Sequence, residues 1–177
     1  MRVMNSAGLT TRLLIALIGT SLIGTTPVLA KGEQYCSTRS SDCATLIVPT
    51  VNRARHELFA QAHDFTAGAI VDALVKAKAR GVDVRVILHR KGIREANWDV
   101  RTLAGHHIPT LLDGTDPPSL ARTMVIDGLT VITGSVNFTM TPEERQKEDV
   151  VVYRDKKAAA TYRDLWMKAA IAAFAVK

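Results

Sequence analysis

Apolar and polar residues alternate along the chain in a pattern that predicts strands and helices in turn. Residues 58–65 predict a buried strand. They are followed by apolar positions at helical spacing over residues 66–80, and then by strand-like alternation over residues 82–88. Gly81 stands where a glycine commonly ends a helix. A strand, a helix and a strand within roughly thirty residues are typical of a βαβ unit, whose strands are parallel. The pattern therefore predicts an α/β fold, with a mixed, mostly parallel sheet flanked by helices.

Other segments extend this architecture on both sides. Helices are predicted over residues 44–57, 97–104 and 156–174, with a short helix beginning at residues 141–144, and strands over residues 108–112, 123–126, 129–133 and 150–153. A chain of 177 residues suits one domain with a substantial core. We assign that domain to residues 44–177 and a polar lead-in to residues 31–43.

Residues 1–30 have the pattern of a secretory signal peptide. Arg2 and Arg12 precede an apolar run over residues 13–24, and a small-residue exit ends at Ala30. A membrane anchor is the alternative, but spanning a bilayer takes roughly 20 apolar residues. We therefore expect cleavage after Ala30 and export of the mature chain, to the periplasm or out of the cell.

The cysteine content fits an exported protein. Cys36 and Cys43 are the two cysteines of the chain, and both follow the predicted cleavage site. In an oxidising compartment we expect them to form a disulfide. The loop that they close is short, and chain entropy predicts a stabilisation of about 2.5 kcal/mol. Their spacing, with no histidine nearby, does not suit a zinc site, and no metal is predicted.

The charge of the chain allows an anionic partner without requiring one. The formal net charge is +6, and removal of Arg2 and Arg12 with the signal peptide leaves +4. Nucleic acid and anionic phospholipid both suit a basic protein, and ordinary solubility explains the charge equally well. Aromatic residues make up 5% of the chain, which argues against a stacking platform for single strands.

The segment over residues 120–139, LARTMVIDGLTVITGSVNFT, carries the most chemistry. Its Asp127-Gly128 pair predicts a tight turn between two strands. Gly134 permits close approach of the backbone to a ligand, and Ser135 and Asn137 point the same way in an extended chain. We expect the polar side chains of this segment, Arg122, Asp127, Ser135 and Asn137, to converge on a phosphate-ester oxyanion.

The spacing of these residues resembles the signature of the phospholipase D superfamily, H-x-K-x4-D-x6-G-S-x-N. The resemblance covers residues 43–174 and is greatest to a small bacterial branch with one motif per chain, which includes exported nonspecific endonucleases and proteins named phospholipase D. It implies metal-free phosphodiester hydrolysis without a cofactor, through a phosphohistidine. It also implies a symmetric homodimer, because two motifs make one active site.

The start of the signature departs from the superfamily. Leu120 stands at the position of the nucleophilic histidine and Arg122 at that of the lysine. A leucine supplies neither a nucleophile nor a group that titrates near neutrality. Arginine keeps the cation, although its planar fork differs from a lysine point charge.

The remaining positions match the superfamily. The resemblance implies catalytic roles for Asp127 and for Glu148, which falls where relatives carry a glutamate that supports the histidine. It implies phosphate binding by Gly134, Ser135 and Asn137, together with Arg122.

Two other histidines are candidates for a substitute nucleophile. His63 lies near the end of the predicted strand over residues 58–65, and His89 directly follows the predicted strand over residues 82–88. Ligands gather at the carboxyl ends of parallel strands. The simpler interpretation is that both are ordinary polar residues at strand ends.

Three hypotheses remain. The protein is an exported phosphodiesterase acting on nucleic acid or phospholipid, with activity impaired at Leu120. Alternatively, it is an inactive homologue that binds phosphate groups or nucleic acid. A dimeric domain with a vestigial site is the third hypothesis.

Overall fold

The computed structural model describes residues 32–38, 42–63, 65, 68–89, 98–113, 121–135 and 148–175. The predicted signal peptide and the predicted short helix at residues 141–144 lie outside these ranges. In chain order the elements are β1 (Gln34–Ser37), α1 (Ala44–Asn52), β2 (Glu57–Ala62), α2 (Gly68–Ala79), β3 (Asp83–His89), α3 (Trp98–Gly105), β4 (Thr110–Asp113), β5 (Thr123–Ile126), β6 (Thr130–Gly134), β7 (Asp149–Arg154), α4 (Lys156–Ala172) and β8 (Phe174–Ala175).

The described strands form one mixed sheet in the order β1-β7-β6-β5-β2-β3-β4-β8. The predicted α/β fold with a mixed sheet and flanking helices is confirmed. Its predicted parallel majority is wrong, because only β2–β3 and β3–β4 are parallel among the described neighbouring pairs. The parallel strands are those linked through α2 and α3, whereas a tight turn joins β5 to β6 and makes that pair antiparallel.

Alternate residues of the central strands face two hydrophobic layers. Leu58 and Ala60 of β2 belong to the larger cluster, which includes buried residues of α1, α2 and α3. Phe59 faces the other way and packs on Trp166 of α4, with ring centroids 4.9 Å apart. The Trp166 indole N–H donates to the Ala60 carbonyl at 2.8 Å, so this buried polar group is satisfied. Within the part of the chain that the structure describes, no helix is long and apolar enough to cross a membrane.

The predicted lead-in is partly incorporated into the sheet. Its residues Gln34–Ser37 form the strand β1, which pairs antiparallel with β7. The predicted disulfide is confirmed, and it joins Cys36 of β1 to Cys43, both buried, at the start of α1. Residues 34–37 therefore belong to the folded unit rather than to a loop that precedes it.

Candidate active site at one edge of the sheet

The strand directions bring several candidate residues to one edge of the sheet, which we call the motif edge. It consists of the carboxyl ends of β1, β2, β3, β4 and β6 and the amino ends of β5 and β7. The registers fix this arrangement, since Gln61 of β2 pairs with Thr123, Thr123 with Thr133, and Gly134 with Val150. Candidate residues at or next to these strand ends are His63, His89, Asp113, Arg122, Ser135 and Glu148.

The β5–β6 hairpin places Arg122 and Ser135 on neighbouring strands. Arg122 precedes β5 directly and Ser135 follows β6 directly, while the strands pair at Thr123 and Thr133. Arg122 is half-buried and Ser135 is exposed. The hairpin therefore brings a cation and a hydroxyl group to the same edge.

Gly134 has a packing reason to be glycine. A Cβ atom at this position would overlap the carbonyl oxygen of Asp149 and lie 3.0 Å from the Cα atom of Val150. Both obstacles are backbone atoms of β7, which cannot rotate away as a side chain can. The absence of a side chain at Gly134 thus permits the close approach of β6 to β7 immediately before Ser135.

The hydroxyl group of Ser135 is held by the backbone of β7. The Ser135 N–H donates to the Asp149 carbonyl at 3.0 Å, and the Asp149 N–H donates to Ser135 Oγ at 2.9 Å. The hydroxyl accepts in this second bond, so its own proton can be donated to another group. An exposed, oriented donor of this kind can bind a phosphoryl oxygen.

The backbone of Glu148 is held by hydrogen bonds to Thr38, the residue that follows β1. Its backbone N–H donates to Thr38 Oγ1 at 3.1 Å, and its carbonyl accepts from the Thr38 N–H at 2.9 Å. The residue is only 8% exposed, although it carries a carboxylate. Glu148 was predictable from the signature but Thr38 was not, because a polar residue of the lead-in has no signal that predicts an interaction 110 residues along the chain.

His63 and His89 meet at the motif edge. Their rings stack with centroids 5.0 Å apart and an angle of 20° between the planes. The backbone N–H of His89 also donates to the backbone carbonyl of His63 at 3.2 Å. Asp113 is the register partner of His89 across β3 and β4, and both residues are buried. Asp113 was not among the predicted site residues, although it directly follows the predicted strand over residues 108–112, and a place at a strand end is the signal that marked the two histidines.

A family model described as "Cardiolipin synthase, PLD-like domain" matches residues 47–168. The chain belongs to the phospholipase D superfamily. It is 30% identical over 131 residues to a "Phospholipase D" of Rickettsia prowazekii (strain Madrid E), a match that covers 74% of this chain and 64% of that relative. The chain thus matches somewhat less than two thirds of the length of that curated relative.

Two solved structures show the same fold. Nuc from Salmonella typhimurium, a phospholipase D family member, superposes with a TM-score of 0.77 at 28% identity, covering 82% of this chain and 97% of Nuc. NucT from Helicobacter pylori superposes with a TM-score of 0.65 at 15% identity, covering 81% of this chain and 99% of NucT. The second likeness concerns the fold alone.

Asp127 of the superfamily signature does not join the other candidates. It occupies the β5–β6 turn with φ 52°, followed by Gly128 with φ 58°, the two positive angles of a type I′ turn. Five residue steps of extended chain, roughly 17 Å, separate it from Arg122. The predicted convergence is wrong for Asp127, because the turn lies at the opposite edge of the sheet from the open ends of the hairpin.

The carboxylate of Asp127 instead binds the backbone before β2. It accepts hydrogen bonds from the N–H groups of Arg55 at 2.9 Å, His56 at 2.7 Å and Glu57 at 3.1 Å. These bonds fasten the hairpin turn to the segment between α1 and β2. The position of Asp127 in this phospholipase D superfamily member indicates a structural residue rather than a group that touches substrate.

Leu120 and Asn137 lie outside the described residues. Among the residues that the structure does describe, no group of three His, Cys, Asp or Glu side chains could hold a metal ion. The metal-free route stays a prediction from the resemblance.

Proposed function

We propose that this protein binds phosphodiester groups at the motif edge and does not hydrolyse them. The observation that carries the proposal is the placement of Arg122 beside the oriented hydroxyl group of Ser135, on neighbouring strands. A guanidinium and a fixed O–H donor suit the non-bridging oxygens of a phosphodiester. The names of the relatives, phospholipase D and Nuc, support a phosphodiester ligand.

Impaired hydrolysis follows from the residue at position 120. The covalent route needs a nucleophile with a free nitrogen, and a leucine has none. Phosphate binding requires no such group, so Arg122 and Ser135 can bind a phosphodiester that the site does not cleave. The protein is therefore a binding homologue in our proposal, and weak phosphodiesterase activity is the alternative.

Restoration of the histidine tests this proposal. We expect purified mature protein to be inert in EDTA toward bis(p-nitrophenyl) phosphate and plasmid DNA, and Leu120→His to release nitrophenol or cut the plasmid. Leu129→His is the matched control, because Leu129 lies on the same hairpin next to the turn at the opposite edge. Turnover by the natural chain would contradict the proposal, as would a natural chain that binds phosphodiester no better than Arg122→Gln does.

A second candidate function is phosphodiester hydrolysis through His63 or His89. The stacked pair favours it, because it supplies imidazole groups at the edge that carries Arg122, one strand away from β5. If the natural chain turns over, His63→Gln and His89→Gln should each be assayed on the same substrates. Unchanged rates of hydrolysis in both variants would exclude the two histidines as the nucleophile. His106→Gln serves as a control in the exposed turn after α3.

Export and dimerisation complete the proposal. The Cys36–Cys43 disulfide supports an oxidising compartment, and the single motif supports a symmetric dimer in which two motifs face each other. Thiol titration of denatured protein from the periplasm should find no free thiols, and light scattering should give twice the mass of the mature chain. Two free thiols would contradict export in oxidised form, and a monomeric mass would contradict the shared site.

The phosphodiester ligand is nucleic acid or phospholipid. A nucleic-acid site releases counterions on binding, so its affinity should fall steeply as salt rises. We expect Arg122→Gln to weaken the binding of whichever ligand is bound. An affinity for duplex DNA that does not change between low and physiological salt would exclude nucleic acid as the ligand.

A further inference from the structure

A groove of about 820 Å³ lies at the edge of the sheet opposite the motif edge. Three arginines line it, namely Arg53, Arg55 and Arg154. It also borders Asp127, so the β5–β6 turn forms part of its wall. None of the residues assigned to phosphodiester binding at the motif edge lines this groove.

The backbone of each arginine is fixed by the fold. Arg53 caps the carboxyl end of α1, with its N–H directed to the Thr50 carbonyl at 3.2 Å. The N–H of Arg55 donates to the Asp127 carboxylate, and Arg154 ends β7 as the register partner of Thr130. Arg53 and Arg55 both come from the segment between α1 and β2, and Arg154 comes from the end of β7. The tertiary fold therefore adds a distant third arginine to two that are close in the sequence.

The guanidinium groups in this groove form no ion pair with another described residue. Within the described residues, no ion pair within 4.0 Å involves Arg53, Arg55 or Arg154. The side chain of Arg53 donates to the neutral hydroxyl group of Thr50 at 3.0 Å. The Asp127 carboxylate borders the groove but already accepts three backbone hydrogen bonds. Glu33 is the other carboxylate in the lining, so the cations exceed the anions.

We propose that this groove binds the sugar-phosphate backbone of nucleic acid, as a second site apart from the motif edge. A guanidinium matches phosphate oxygens bidentately, and three of them in one groove suit a chain of phosphates better than one phosphate. A membrane surface would need exposed apolar side chains beside the cations. The exposed large apolar residues of the described chain, Tyr35, Leu165, Met167 and Ile171, lie outside the groove.

The test compares variants of the full mature protein binding a fluorescein-labelled 20-base-pair DNA duplex of mixed sequence. Anisotropy is measured in EDTA at several salt concentrations, so that no cleavage requiring a divalent metal intervenes. Arg55→Gln with Arg154→Gln should raise Kd about tenfold and flatten the salt dependence by roughly two units, about 0.9 for each phosphate that is no longer neutralised. The double Arg→Lys variant should recover part of the affinity, because it keeps the charge without the bidentate fork.

Arg85→Gln is the matched control. Arg85 is exposed at 48% and pairs with Asp83 at 3.0 Å, away from the groove, so its loss removes one charge of the same kind. We expect its Kd to stay within about twofold of the natural protein. Equal weakening for each arginine removed, in Arg85→Gln and in the groove variant, would overturn the proposal, because only net charge would then matter.

The proposals for the groove and for the motif edge can be tested independently. Arg122→Gln should leave the groove contribution intact, so a triple variant with Arg55→Gln and Arg154→Gln should be weaker than either parent. If the groove variant binds DNA as the natural protein does while Arg122→Gln does not, the groove proposal is wrong and the motif edge stands. Tighter groove-dependent binding to phosphatidylglycerol vesicles than to the duplex would likewise overturn it.

Discussion

The two ends of the β5–β6 hairpin use their polar residues in opposite ways. At the open end, Ser135 engages β7 through its N–H and its oxygen lone pair, and its hydroxyl proton can be donated. At the turn, the carboxylate of Asp127 receives three backbone N–H groups and acts as part of the scaffold. The same signature thus contributes one group that can bind a ligand and one that holds the fold together.

This contrast separates spacing in the sequence from position in space. Arg122 and Ser135 are thirteen residues apart in the chain and lie on neighbouring strand ends. Asp127 stands between them in the sequence but at the far edge of the sheet. A motif therefore indicates which residues belong together in a family, while the strand directions decide which of them share a site.

Replacement of Gly134, at the open end of the hairpin, is expected to change the free energy of unfolding most. Gly134→Ala should lower the free energy of unfolding by about 3 kcal/mol, because the new Cβ overlaps backbone atoms of β7. Urea denaturation measures the change. Gly105→Ala is the control, since nothing lies within 4 Å of a Cβ there, and should change stability by no more than about 1 kcal/mol. Equal stability of the two variants would mean that β6 and β7 can separate at this point without cost.

Much of the fold was predictable because it depends on local patterns. The period of the apolar residues placed α2 between two strands, and the structure puts β2 and β3 in parallel with α2 between them. The prediction of β5 over residues 123–126 is confirmed at both ends. The Asp127-Gly128 pair predicted the turn, and both residues have the positive φ that it requires.

The features that sequence reasoning missed depend on partners far along the chain. β1 has no apolar alternation of its own, and it is a strand because β7 offers an unpaired edge and a disulfide anchors it. The position of Asp127 was available from the hairpin itself, since a turn and the open ends of its strands lie at opposite edges. The stacking of His63 on His89 requires the parallel register of β2 and β3, which spacing alone does not supply.

Substitution of Asp127 tests whether the turn end of the hairpin has a structural role only. Asp127→Ala should lower the free energy of unfolding by about 2 kcal/mol, because three backbone N–H groups lose a charged acceptor. Asp127→Asn keeps one oxygen acceptor and tolerates positive φ, so its loss should be about 1 kcal/mol. Urea denaturation measures both, and binding of a phosphodiester at the motif edge should be unchanged. Normal stability with abolished binding would place Asp127 in the site after all.

Substitution of Ser135 tests whether the open end of the hairpin binds the ligand. Of the substitutions considered, it is expected to change the free energy of unfolding least. Ser135→Ala removes the acceptor of the Asp149 N–H, which is exposed and can bond to water instead, so unfolding should change by less than about 1 kcal/mol. Loss of the hydroxyl donor should weaken phosphodiester binding about tenfold, the effect of one hydrogen bond to a charged group. Calorimetric titration with a dinucleotide measures the affinity, with Thr161→Ala as a hydroxyl control on α4. If binding persists in Ser135→Ala while unfolding shifts by several kcal/mol, Ser135 is a structural residue like Asp127, and the two ends of the hairpin do not differ in kind.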